Sequence, residues 1–195
     1  MNLANKLTMF RVVLVPVFLV VMSVEAIPLR FLWALVVFAL ASITDMLDGK
    51  VARKFNMITD FGKFLDPLAD KILVAAALIC FVEQGWASAW VVSVILMREF
   101  VVSGVRLVAA SSEKKAVIPA NIWGKLKTAF TMIAIVAILI FQSLGQILPV
   151  EIFNEQWQRI GAIGSDVLMY IACALTVISG VIYIYDYREY IDPRK

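Results

Sequence analysis

Residues 42 to 73, SITDMLDGKVARKFNMITDFGKFLDPLADKIL, place four aspartates at helical spacing between two apolar runs. Asp45 and Asp48 are three residues apart and Asp66 and Asp70 four apart, so each pair projects from one face of its own helix. Two adjacent antiparallel helices bring the four carboxylates together. Left unpaired and buried, such groups cost several kcal/mol each or become protonated. Divalent cations relieve the repulsion. Donors that are all oxygen select hard ions, Mg²⁺ first, then Mn²⁺, with Ca²⁺ behind them. Two such ions clamp the attacking and leaving oxygens of a phosphoryl transfer. The competing reading pairs the same aspartates with Lys50, Arg53, Lys63 and Lys71 as salt bridges of a surface loop.

The rest of the inventory narrows the chemistry. Histidine is absent, and the two cysteines, Cys80 and Cys173, each fall inside an apolar run. Imidazole catalysis, histidine zinc sites and a redox pair are therefore set aside, and the thiols read as small buried hydrophobes. No arrangement of cysteine, serine or lysine marks a protein nucleophile. Gly49 and Ala52 follow Asp48, and Gly62 stands one turn before Asp66. A glycine inside a helix costs up to about 1 kcal/mol relative to alanine, so close approach of a ligand or a backbone is its motive.

The elements that must hold these residues are apolar. Of 195 residues, 62% are hydrophobic and 17% charged, outside the balance of a soluble domain. Six apolar segments can be drawn, at 8–24, 30–53, 63–83, 86–109, 121–145 and 160–187. Several have apolar cores shorter than the ~20 residues of a spanning helix. A polar half completes each of them where its charges face a bundle interior or an aqueous cavity.

Lysine and arginine collect at one set of loops: Lys6 and Arg11, then Lys50, Arg53, Lys54, Lys63 and Lys71, then Arg106, Lys114, Lys115, Lys125 and Lys127, and last Arg188, Arg194 and Lys195. Only Arg30 and Arg159 fall on the other side. Basic loops stay in the cytoplasm, so six spans with both termini cytoplasmic are expected. A cleaved signal peptide is disfavoured by Glu25 beside the only weak cleavage pattern. The first ten residues, MNLANKLTMF, are expected as a short amphipathic helix at the interface. Without repeats, linkers or low-complexity stretches, residues 1–195 read as one domain. The net charge of +3 is carried beside apolar helices, which gives no footing for nucleic acid.

The string D-M-L-D-G-K-V-A-R, eight residues, then G-K-F-L-D-P-L-A-D fits D-x2-D-G-x2-A-R-x8-G-x3-D-x3-D at every fixed position, from Asp45 to Asp70. This resembles the signature of the CDP-alcohol phosphotransferase family of integral membrane enzymes. The resemblance displaces the salt-bridge reading. It implies an all-α fold of six transmembrane helices, a homodimer, and a polar cavity open to the cytoplasm, in the cytoplasmic membrane of a bacterium. It further implies transfer of a phosphatidyl group from a CDP-linked lipid to an alcohol, with release of CMP. By matching position, Asp45, Asp48, Asp66 and Asp70 would hold two Mg²⁺ or Mn²⁺ ions, and Asp70 would also take the acceptor's proton. Gly49, Ala52 and Arg53 would form the bed for the cytidine diphosphate, the arginine neutralising phosphate. Asn5, Thr8 and Arg11 match the family's N-terminal Asn-x2-Thr-x2-Arg element, so Asn5 and Thr8 join the CDP-lipid site.

The acceptor is read from the remaining charges. Arg98, Glu99 and Arg106 lie in MREFVVSGVRL, and Lys125 and Lys127 in WGKLKTAF. Cations held in membrane helices mark a site, and a cluster of them predicts an anionic partner. An acceptor bearing its own phosphate fits better than choline, ethanolamine or serine. Two residues turn a helix by about 200°, so only one of Lys125 and Lys127 should face the site while the other reaches anionic lipid headgroups or a dimer contact. R-E-F-x-V-S-G-x-R followed by G-K-x-K-T is similar to the glycerol-phosphate branch of the family. The expected substrates are CDP-diacylglycerol and sn-glycerol 3-phosphate, with inositol phosphate as the alternative acceptor. Outside this class stand an intramembrane prenyltransferase, disfavoured by the G-x2-A-R tail, and a cation transporter, whose aspartates should lie midway along the spans. Asp166 has no assigned role.

Overall fold

The computed structural model describes residues 3–55, 60–111, 122–149 and 155–186, with side chains described at 8–44, 71–105, 122–149 and 155–186. Among the described residues the chain forms six α-helices and no strand: α1 Leu3–Ser23, α2 Arg30–Phe55, α3 Asp60–Glu83, α4 Ala89–Ser111, α5 Ile122–Ile147 and α6 Glu155–Asp186. They follow the six apolar segments closely. Each extends into the polar flank that periodicity alone left uncertain.

One expectation changes. The N-terminal residues do not form a separate interfacial helix; from Leu3 they run into α1 without a break. No glycine or proline interrupts Leu3–Val15, and Thr8 and Arg11 continue the buried stripe of Leu14, Val15, Phe18 and Met22. Their polarity is therefore turned inward, not toward a headgroup layer. Pro16 sits inside α1, where membrane-type helices tolerate a missing backbone donor.

Packing follows the stripes. α1 lies against α2 and α3, α5 against α2 and α6, and α4 against α6 and α3. Phe31, Ala34, Phe38 and Ala41 recur at i+3 and i+4 on the buried face of α2, and Phe38 meets Phe18 of α1 with ring centroids 6.1 Å apart. The opposite faces carry large apolar residues outward, among them Val20, Ile79, Phe100, Ile163 and Val181. So many exposed large apolar residues suit an apolar surrounding such as a membrane. Among the described residues two helices, α5 and α6, are long and apolar enough to cross a membrane, and shorter apolar stretches occupy Thr8–Ser23 and Arg30–Thr44.

The end of the bundle away from the aspartates is closed by polar ties. α3 ends at Glu83, and Gly85 just beyond it has a φ of 73°, the left-handed value that favours glycine past a helix C-terminus. The Trp86 N–H donates back to the Phe81 carbonyl at 2.8 Å, and the two rings pack 5.4 Å apart. Arg30 donates to Gln84 and lies over the Phe31 ring, while the Phe31 N–H donates to the Gln146 side chain at 3.0 Å. These contacts tie α2, α3 and α5 at that end.

Gly161 is the close-approach point of α5 and α6. A Cβ there would fall into the ring of Phe141. Gly161→Val is expected to cost about 1–3 kcal/mol through overpacking. Thermal unfolding of the detergent-solubilised variant should show a clear drop in midpoint, partly restored by adding Phe141→Ala. An unchanged midpoint would mean that the ring has room to move.

Candidate active site

The side chains of Asn5, Asp45, Asp48, Gly49, Ala52, Arg53, Asp66, Asp70 and Arg106 lie outside the described residues. Their helices are described, so their depth along the bundle follows from chain position. Asp45 and Asp48 stand ten and seven residues before the end of α2, and Asp66 and Asp70 six and ten residues after the start of α3. At 1.5 Å per residue, Asp45 and Asp70 share a depth of about 15 Å, and Asp48 and Asp66 share one of about 10 Å. The four positions therefore stand, two and two, at like distances from the end of α2 and the start of α3. By helical periodicity, positions 45 and 48 share a face of α2 with Ala34, Phe38 and Ala41, and positions 66 and 70 share a face of α3 with Leu73 and Ala77.

Thr8 and Arg11 are buried on α1, which packs on both of these helices, at 2% and 1% exposure. A fully buried arginine in an apolar bundle requires partners, and Arg11 has them.

Beside Asp70 in the chain, Lys71 opens onto a cavity of about 500 Å³ between α3, α4 and α5. Arg98, Glu99 and Ser103 line it from α4, and Lys125 and Lys127 from α5. The structure separates the two lysines as helix geometry requires. Lys127 is buried and forms an ion pair with Glu99; Lys125 is exposed at the cavity's edge. Lys71 donates to the Ser103 hydroxyl, which in turn donates to the Glu99 backbone carbonyl at 2.6 Å. A smaller apolar pocket of about 70 Å³ shares Lys71, Glu99 and Lys127 and is closed by residues such as Ile95 and Met132.

Arg98 is set by α6, an element in which the sequence offered no motif. One of its guanidinium nitrogens donates to the Ser179 hydroxyl at 2.7 Å, and another approaches Glu99 at 3.3 Å. Its stem crosses Gly180, where an added Cβ would stand 3.0 Å from the arginine Cγ. The only signal for Ser179 and Gly180 was a small polar pair in an apolar run. Such pairs serve ordinary helix packing as often. Asp166, on the same helix, is exposed.

The cationic cavity thus begins at Lys71, one residue along α3 from Asp70. Residues 1–179 match the family described as CDP-alcohol phosphatidyltransferase. The chain belongs to that family. Among curated relatives, a protein of Bacillus subtilis is 42% identical over 190 residues, covering 92% of this chain and 91% of its own. One of Rickettsia bellii is 36% identical over 190 residues, with 97% of each chain covered. One of Haemophilus influenzae is 35% identical over 187 residues, with 94% of this chain and 91% of its own covered. All three carry the name CDP-diacylglycerol--glycerol-3-phosphate 3-phosphatidyltransferase. As a member of the CDP-alcohol phosphatidyltransferases, the chain is a transferase of phosphate-containing groups, and its helices suit a membrane protein.

Proposed function

We propose that residues 1–195 form one membrane domain that transfers the phosphatidyl group of CDP-diacylglycerol to sn-glycerol 3-phosphate, giving phosphatidylglycerophosphate and CMP. The observation that carries the choice of acceptor is the cavity holding Lys71, Arg98 and Lys127 one residue along the chain from Asp70. The cavity's lysines and arginine outnumber its one carboxylate, Glu99, so an acceptor with a phosphate of its own matches its charge, and the relatives' names agree with it. In this reading the chain spans the cytoplasmic membrane of a bacterium six times, with both termini and the cavity mouth on the cytoplasmic side, and works as a homodimer.

Asp45, Asp48, Asp66 and Asp70 fit hard divalent ions. Their donors are carboxylates, they stand at like distances from the facing ends of two helices that both pack on α1, and histidine is absent from the chain. Two Mg²⁺ or Mn²⁺ ions held there would supply charge neutralisation at the pyrophosphate and at departing CMP. The chain's residues do the rest. Asn5, Thr8, Gly49, Ala52 and Arg53 hold the cytidine diphosphate, with the small residues giving room and Arg53 facing phosphate. Arg98 and Lys127, with Lys125 at the cavity's edge and with Arg106, hold the acceptor's phosphate so that its free primary hydroxyl points at the lipid-linked phosphorus. That oxygen forms the new P–O bond as the bond to CMP breaks, and its proton passes to the carboxylate of Asp70.

Purified protein with radiolabelled CDP-diacylglycerol and Mg²⁺ should release CMP when sn-glycerol 3-phosphate is added. Serine, inositol phosphate or phosphatidylglycerol in its place should give little. Release only with another acceptor would overturn the assignment, and movement of a divalent ion without CMP release would move the chain into the transporter class.

A further inference from the structure

We propose that Glu99 makes the basic cavity selective for phosphates that carry hydroxyl groups, a role that rests on the acceptor-phosphate reading above. The carboxylate lines both the large cavity and the small pocket behind it, and it accepts from Lys127 and approaches Arg98. Its side chain is 20% exposed, against 8% for Lys127 and 12% for Arg98. Of the three it is therefore the most open to an incoming ligand.

A pocket built only to attract a dianion would be better without it. Glu99 cancels one positive charge and engages the donors that a phosphate needs. In the empty cavity this has a use, because buried Lys127 requires a counter-charge. Once a phosphate takes over Lys127 and Arg98, Glu99 Oε1 loses the donors it accepts from while the carboxylate faces a second anion. A bare phosphate leaves them so. A phosphate tethered to a short polyol brings hydroxyl donors within a few bonds, and one of these can be given to Glu99. Discrimination then arises from a repulsive element that only the hydroxylated ligand compensates.

The test compares acceptors on the unmutated, Mg²⁺-loaded enzyme. Propane-1,3-diol monophosphate keeps the terminal phosphate and the primary hydroxyl of sn-glycerol 3-phosphate but lacks the middle hydroxyl. A hydrogen bond to a charged group predicts a kcat/KM roughly 10- to 100-fold lower for it. Inorganic phosphate should inhibit only at concentrations far above the KM for sn-glycerol 3-phosphate. Equal use of the two acceptors, or inhibition by inorganic phosphate near that KM, overturns the proposal without any variant. In Glu99→Gln, the preference between the two acceptors should narrow severalfold and inhibition by inorganic phosphate should strengthen severalfold, with the KM for CDP-diacylglycerol held. If both ratios stay as in the unmutated enzyme, Glu99 only supports Lys127, and the proposal fails. Failure of the underlying reading looks different: Lys127→Met and Arg98→Met would then leave the KM for sn-glycerol 3-phosphate unchanged.

Discussion

Asp70→Asn is expected to lower acceptor-dependent CMP release by about 10³-fold or more, in protein that still folds and still inserts into detergent micelles. The variant removes two things at once. A positioned proton acceptor is worth about 10²–10⁴-fold, and an amide in place of a carboxylate also takes one negative charge from the donor set around the ions. Asp48→Asn removes only the second, because Asp48 has no proton to accept in this scheme. The two variants should therefore separate on Mg²⁺ titration: excess Mg²⁺ recovers a large part of the Asp48→Asn loss and little of the Asp70→Asn loss. Asp166→Asn is the control, since Asp166 is exposed on α6 and plays no part in the scheme. It should turn over as the unmutated enzyme does. Turnover by Asp70→Asn within about tenfold of the unmutated enzyme at saturating Mg²⁺ would remove Asp70 from the proton-accepting role, whatever its place among the ligands.

The aspartates and the helices that carry them were legible in sequence to different degrees. Helix existence was legible because apolar runs broken by Gly85-Trp86 or Ala26-Ile27-Pro28 leave few alternatives to six helices. The spacing of Asp45, Asp48, Asp66 and Asp70 was legible because helical rise and rotation are fixed. Rotation likewise required Lys125 and Lys127 to diverge. It did not say which turns inward, because that depends on how α5 rolls against its neighbours. Burial of Lys127 beside Glu99 answers that question.

Other features had no local signature. The N-terminal stretch of ten residues looked like an interfacial helix since Asn5, Lys6 and Thr8 interrupt its apolar pattern. In the bundle Thr8 and Arg11 are buried instead. Polarity in a membrane helix marks either a headgroup layer or a polar interior, and sequence periodicity does not separate the two. Ser179 and Gly180 were silent for a related reason. Their effect lies in what crosses them, a side chain from a helix 81 residues earlier in the chain.

Arg98 gives the second large effect. Arg98→Met keeps most of the unbranched stem that crosses Gly180 and deletes the guanidinium, so packing is largely held while the donors to Ser179 and Glu99 are lost. Two charge-assisted hydrogen bonds to a phosphate, at about 1.5–3 kcal/mol each, set the expected loss in kcat/KM for sn-glycerol 3-phosphate at roughly 10²–10⁴-fold. Most of it should fall on KM for the acceptor, with the KM for CDP-diacylglycerol within about twofold, because uniform binding of a remote group is what is removed. Arg98→Lys should fall between, since an ammonium keeps the charge without the fork that reaches Ser179 and a ligand together. Lys125→Met should change little, as an exposed cation at a cavity rim contributes about 0–1 kcal/mol. The order Arg98→Met, Arg98→Lys, Lys125→Met in acceptor KM is the measurable content. If Lys125→Met costs as much as Arg98→Met, the anion is held at the cavity's edge, and the buried group formed by Arg98, Glu99, Lys127 and Ser179 holds the helices together instead of the acceptor.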